Sequence, residues 1–288
     1  MTKYLLILLF FNLTTARVLA QTNEKISLEG IGINSIPDSI YTKSNLRVLS
    51  IFMNEINFID SKISQLTNLE ILDMNVNHLN EFPIELTTLP NLIELHLEGN
   101  NISKIPPEIG RMTSLQTLSL GSTWMGNNPI DTLPPEIGQL INLKNLYVSN
   151  CGLKYVPNEI GNLTKLENLT LTVCNLDSLP STINKLKKLK LLDLSSATIK
   201  QTPNLSGLSN LTELRLYRSN IESLPEGVDN LVKLEKISLN YYMMKSFFKI
   251  IDKLPNLKSV RIEGINKLNE KKLTKIKMKY PLINFGGN

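Results

Sequence analysis

Residues 91–113 read NLIELHLEGNNISKIPPEIGRMT, and this order of apolar and polar positions returns along most of the chain. Units in the same register start at Thr22, Asn45, Asn68, Asn91, Ser114, Asn142, Lys165, Lys188, Asn210, Lys233 and Asn256, with leucine second in the last ten. The period is 23 residues, broken twice: the unit at Ser114 has five extra residues and the unit at Lys188 is one short. Within a unit, Leu95-His96-Leu97 alternates apolar and polar, the mark of a short strand with one buried face. Asn100 turns the chain, Ile102 and Ile105 point back inward, and Pro106 fixes an extended bend without a donor to spare for a sheet. That proline recurs at Pro37, Pro83, Pro134, Pro157, Pro180, Pro203 and Pro225, while Ile109 and Met112 close the layer. One such unit cannot bury its apolar edge alone, so the pattern predicts stacked turns around a shared core.

The unit from Leu92 to Met112 has the form L-x-x-L-x-L-x-x-N-x-L-x-x-L-P-x-x-I-G-x-L, and on it the chain resembles the leucine-rich repeat family over residues 25–267. The resemblance implies an α/β solenoid, with a curved parallel β-sheet on the concave side and loops and short helical turns on the convex side. Eleven layers at ~5 Å would make a sheet roughly 50 Å across. Residues 21–44 read as a degenerate first unit capping one end, and 45–266 as the repeats. Residues 267–288 read as a C-terminal cap, with Leu273, Ile276 and Tyr280 at helical spacing.

Residues 1–20 are set apart: Lys3 is followed by an apolar run over 4–13, and Val18-Leu19-Ala20 offers small-residue cleavage chemistry. This reads as a signal peptide and an exported product; the run is too short to span a membrane and no later stretch is longer. Without Lys3 and Arg17 the formal charge falls from +5 to +3, too mild a balance to imply a nucleic-acid partner. Aromatics are only 6% of the chain, which suits a core of repeated aliphatic layers rather than large rings.

The tenth position of each unit turns inward where the strand ends. Counted from the unit starts it holds Asn54, Asn77, Asn100, Thr123, Cys151, Cys174, Ala197, Ser219 and Tyr242. In the leucine-rich repeat family this residue is usually asparagine, whose amide satisfies loop carbonyls of adjacent turns, and cysteine is also accepted. The resemblance therefore implies a structural ladder at Asn54, Asn77, Asn100, Cys151 and Cys174. Equivalent Cα atoms ~5 Å apart do not exclude a disulfide between Cys151 and Cys174. Parallel inward side chains are poorly aimed for one, so the reading favours two free thiols packing as small apolar groups. No histidine lies in either unit, which argues against a catalytic thiol.

If the leucines point in, the fourth, sixth and eighth positions face out from the concave sheet. Val48, Ser50 and Phe52 open the series, followed by Ile71, Asp73 and Asn75, then Glu94, His96 and Glu98. The middle is neutral and includes Tyr147; towards the C-terminus come Glu213, Arg215, Tyr217 and Lys236, with Arg218 and Tyr241 at strand ends. The face thus runs from acidic through neutral to basic and aromatic, a gradient able to orient a partner, and tyrosine and arginine are common interface anchors. Asp73 and His96 share a slot on neighbouring strands, but one histidine on an open sheet without an enclosing pocket predicts no bound metal, and no cofactor is expected. Trp124, the single tryptophan, falls in the five-residue insertion beside the turn formers Gly126, Asn127, Asn128 and Pro129, which predicts a protruding loop with an aromatic anchor. The expected function is non-enzymatic recognition of a protein through the concave face. The alternative is a surface adhesin that binds glycan or lipid through the Trp124 loop and the lysines of the cap (Lys267, Lys271, Lys272, Lys275, Lys277 and Lys279).

Overall fold

The computed structural model describes residues 24–121, 126, 128–267 and 270–287, so the proposed leader, Thr123 and Trp124 lie outside the described residues. Among the described residues twelve strands form one open parallel sheet in chain order. They are β1 (Lys25–Ser27), β2 (Val48–Ser50), β3 (Ile71–Asp73), β4 (Glu94–His96), β5 (Thr117–Ser119), β6 (Asn145–Tyr147), β7 (Asn168–Thr170), β8 (Leu191–Asp193), β9 (Glu213–Arg215), β10 (Lys236–Asn240), β11 (Ser259–Glu263) and β12 (Asn284–Gly286). Most hold three residues because a unit contributes only one inward side chain to the sheet: Leu49, Leu72, Leu95, Leu118 and their equivalents, all fully buried. The register never slips; Asp73 pairs with His96 and His96 with Ser119. A slip of one residue would turn every leucine into solvent.

On the convex side Pro83, Pro106, Pro134, Pro157 and Pro180 each sit in extended backbone just before a 3-10 turn, as Pro106 does before Pro107–Arg111, while Pro37 precedes the short α-helical turn Asp38–Tyr41. The amide of Ile109 donates to the Pro106 carbonyl at 3.1 Å, and the isoleucine side chain drops into the core. The unit that is one residue short carries no 3-10 turn between β8 and β9 among the described residues. There Asn184 of the preceding turn supplies hydrogen bonds instead, accepting from Gly207 N at 2.8 Å and donating to the Asn204 carbonyl.

The ladder exists, with two corrections to its membership. Asn77 Nδ2 donates to the carbonyls of Ile51 (2.9 Å) and Met74 (3.1 Å), while its Oδ1 accepts from Ile56 N. Asn100 repeats this with Met74, Leu97 and Leu79. In the next unit the same part is played by Asn128, not by Thr123: its Nδ2 donates to Leu97 O (2.7 Å) and Leu120 O (2.9 Å), and its Oδ1 accepts from Ile102 N. The five extra residues therefore enter before the ladder position, within 122–127, rather than after it. Tyr242 is no ladder residue either; it is 73% exposed. β10 runs on to Asn240, which is buried and donates to the Ser219 carbonyl, and the chain then coils through 241–247, burying Met243 and Phe247.

At the C-terminal end the helix Glu270–Lys279 leans on the last layer through Ile276, and after it β12 adds to β11. Phe248, Tyr280 and Phe285 form an aromatic group with centroids 6.2–6.4 Å apart that covers the open core. No helix among the described residues is long and apolar enough to cross a membrane.

Candidate functional site

The concave face is built by strand register alone. Side chains at the fourth position of successive units touch: Asn168 Nδ2 donates to Asn145 Oδ1 at 2.6 Å, and Asn145 Nδ2 donates to Thr117 Oγ1 at 3.0 Å. This polar row leaves Thr117 and Ser119 buried although they point away from the core, because neighbouring side chains lie across them.

Towards the N-terminal half, Asp73, Asn75, Glu94, His96 and Glu98 come together. His96 Nε2 lies 3.4 Å from Glu94 Oε2, and its Nδ1 lies 3.3 Å from Ser119 Oγ. Asp73 Oδ1 accepts from Asn75 N at 3.0 Å, and Asn75 Oδ1 accepts from Glu98 N at 2.6 Å. Burial raises the Asp73 carboxyl above the ordinary range, against the hydrogen bond from Asn75 and the nearby His96. Burial likewise raises Glu98, with His96 opposing and Asp73 adding to the rise. Tyr147 stands beside this group; desolvation raises its phenol, and Glu94 and Glu98 raise it further. Among the described residues no group of three or more histidine, cysteine or acidic side chains is arranged to hold a metal ion.

The C-terminal half is less basic than its residue types suggest. Arg215 is clasped by two carboxylates, Nε to Glu213 at 2.6 Å and Nη1 to Asp193 at 3.1 Å. Burial works against its charge, but these bonds hold the guanidinium above its usual value. Lys236 reaches Glu213 at 3.8 Å. The charge gradient therefore has an acidic end without a Lys or Arg ion pair among the described residues, while Glu213 and Asp193 offset Arg215 and Lys236 further along. Arg261 stays on the sheet face in register with Ser238, and Arg218 stands at the strand end; their guanidinium carbons each lie 5.1 Å from the centre of the Tyr217 ring. Arg218 also pairs with Glu263 at 3.2 Å.

Cys151 and Cys174 are free and buried, with Sγ atoms 3.6 Å apart. Cys174 Sγ donates to Val148 O at 3.3 Å, a thinner version of the asparagine bonds. Its bond with Cys151 and its burial both push the Cys174 thiol up, so it stays protonated.

Two features escaped the sequence reading. The ninth position of the unit is left-handed at Met53, Val76, Gly99, Asn150, Val173, Ser196 and Arg218, all with φ between 52° and 68°. The ninth position is also left-handed at Gly30 (φ 64°) and Gly264 (φ 73°), so three glycines signalled it, while the other six are residue types that seldom adopt the conformation or do so silently. The first position forms a second, exposed ladder: Asn68, Asn91, Asn142, Asn210 and Asn256 each donate to a carbonyl of the preceding turn at 2.6–2.9 Å. Its signal was the recurrent asparagine at unit starts.

Together these features define an open solenoid of leucine-rich turns with a rigid polar face. Residues 45–176 match the family model described as leucine-rich repeat region. That match and the fold support a leucine-rich repeat protein. Among solved structures it is similar to the plant peptide hormone receptor RGFR1 in complex with RGF2, at 21% identity and TM-score 0.65, covering 92% of this chain and 39% of that one. A TDR receptor matches at 30% identity and TM-score 0.62, covering 80% of this chain and 41% of that one. The TLR13-ssRNA13 complex matches at 25% identity and TM-score 0.64, covering 84% of this chain and 36% of that one. The chain thus spans well under half the length of these receptors. No curated protein matches it in sequence.

Proposed function

We propose that this is an exported recognition protein that binds a protein partner across its concave face, with no covalent step. The observation that carries the reading is the acidic end of that face. Asp73, Glu94 and Glu98 converge on and just beyond neighbouring strands with one histidine and, among the described residues, no Lys or Arg ion pair to neutralise them. Desolvated carboxylates held on a sheet are costly unless something uses them, and a partner with a basic patch would relieve that cost. Tyr147 and Tyr217 supply amphipathic contact area along the same face, as interface anchors do. The receptors of similar fold lend general support, since one is described in complex with RGF2 and another with ssRNA13. Their ligands differ in chemistry, so the choice of a protein rests on this chain's own face: its acidic end would repel nucleic acid.

The test is amide hydrogen exchange on the full chain with and without a protein captured from the extracellular or surface fraction of its source. Slower exchange in peptides spanning 94–98 and 145–149 on complex formation is the expected result. Protection confined to convex turns such as Pro107–Arg111 would overturn the proposal.

A further inference from the structure

The concave reading leaves the C-terminal rim unused. There Asn240, at the eighth position of its unit and in register with Glu263, is only 6% exposed: its Nδ2 donates to Ser219 O, while its Oδ1 has no hydrogen-bond partner among the described residues. The next residues coil instead of continuing the rim, which opens a notch of about 500 Å³ between the turn at Arg218 and the turn at Glu263. That volume lies within the range of small-ligand sites. Asn240, Asn266 and Ser219 line it with polar atoms, and Tyr241 and Tyr242 form an edge-to-face pair with centroids 6.5 Å apart. Lys267 Nζ lies 5.7 Å from both ring centres, and among the described residues no carboxylate pairs with it. Arg218, by contrast, is already matched by Glu263.

We infer that this rim notch binds an acidic saccharide, a uronate unit whose carboxylate meets Lys267, whose ring lies against Tyr242 and whose hydroxyls serve the asparagines. Each requirement comes from a separate observation. The unpaired ammonium selects one negative charge. The exposed tyrosine offers a π face that attracts the weakly positive C–H groups of a pyranose. The polar side chains that line the notch, Asn266 and Ser219 among them, offer hydrogen-bonding groups for ring hydroxyls. An acidic peptide fits less well, because β10 and β11 are paired on both sides and offer no open strand edge for main-chain bonding.

Calorimetric titration of the full chain with tetragalacturonate, its methyl ester and tetraglutamate tests this. The expected result is saturable binding of tetragalacturonate that weakens at least tenfold on esterification, and at least tenfold in Tyr242→Ala and in Lys267→Ala. Tyr242 is mostly exposed and Lys267 bears no ion pair, so both variants should keep the wild-type melting temperature. Tetraglutamate should bind at least tenfold more weakly. No uronate binding at millimolar concentration, unchanged affinity in Tyr242→Ala, or tetraglutamate binding as tightly would overturn the inference, and none of these outcomes bears on the concave face.

Discussion

A left-handed backbone at a β-branched residue is the clearest single-residue cost in the molecule. Val76 and Val173 adopt φ of 56° and 54°, where Cβ crowds the following carbonyl. The cost is roughly 1–2 kcal/mol, and glycine escapes it at an entropic loss of about 0.5–1 kcal/mol. Val173 is nearly half exposed, so its removal sacrifices little burial. Val173→Gly should therefore stabilise the protein by about 0.5–1 kcal/mol in chemical denaturation; destabilisation would mean that the valine side chain contributes contacts worth more than the strain. Asp73 gives a second residue-scale prediction. Its folded pKa lies above its unfolded value, so the native state holds its proton longer and loses stability as pH rises through that interval. Asp73→Asn keeps an acceptor for the Asn75 amide and removes the desolvated charge. The variant should melt higher than wild type at pH 7 and match it at pH 3, below the ordinary aspartate value of about 3.9. An equal difference at both pH values would contradict the burial argument.

Among the elements, the asparagine ladder ties one turn to the next. Asn77→Ala would strand the carbonyls of Ile51 and Met74 and the amide of Ile56 in the core. Each unmet buried group costs about 1–3 kcal/mol, so a total near 2–4 kcal/mol is expected after partial relaxation. Because a solenoid turn touches only its neighbours, the loss should show as faster amide exchange at 51–56 while turns beyond β7 stay protected. Uniform acceleration along the chain would mean the molecule opens as one unit. The ladder also shows how far the sequence was legible. The strand leucines, the prolines and the first three asparagines were read correctly because each carries its chemistry in its residue type and spacing. Thr123 and Tyr242 were misplaced because position was counted from unit starts, while the chain obeys hydrogen bonding. Asn128-Pro129-Ile130 repeats Asn100-Asn101-Ile102, and that match marks the true place of the insertion. At Tyr242 the alternation of Ile237 and Leu239 gives way to a coil, a change visible only once Met243 and Phe247 are seen to fill the core.

Across the whole molecule, what mattered most for recognition was the least legible. Residue types along the sheet face suggested opposite charge at its two ends, yet Arg215 sits between Glu213 and Asp193, and Lys236 leans on Glu213. Cross-strand pairing is a property of register, and a list of charges does not contain it. The consequence is an acidic N-terminal end and a largely offset C-terminal continuation that keeps Arg261 on the face, which sets the partner's expected polarity. The most direct measurement is the affinity of the captured partner for three full-length proteins of equal net charge. These are wild type, a concave variant with Glu94→Lys and Lys236→Glu, and a convex variant with Glu159→Lys and Lys185→Glu on the 3-10 turns. The account predicts wild-type affinity for the convex variant and at least tenfold weaker binding for the concave one. Equal affinity for all three, or loss only in the convex variant, would contradict it.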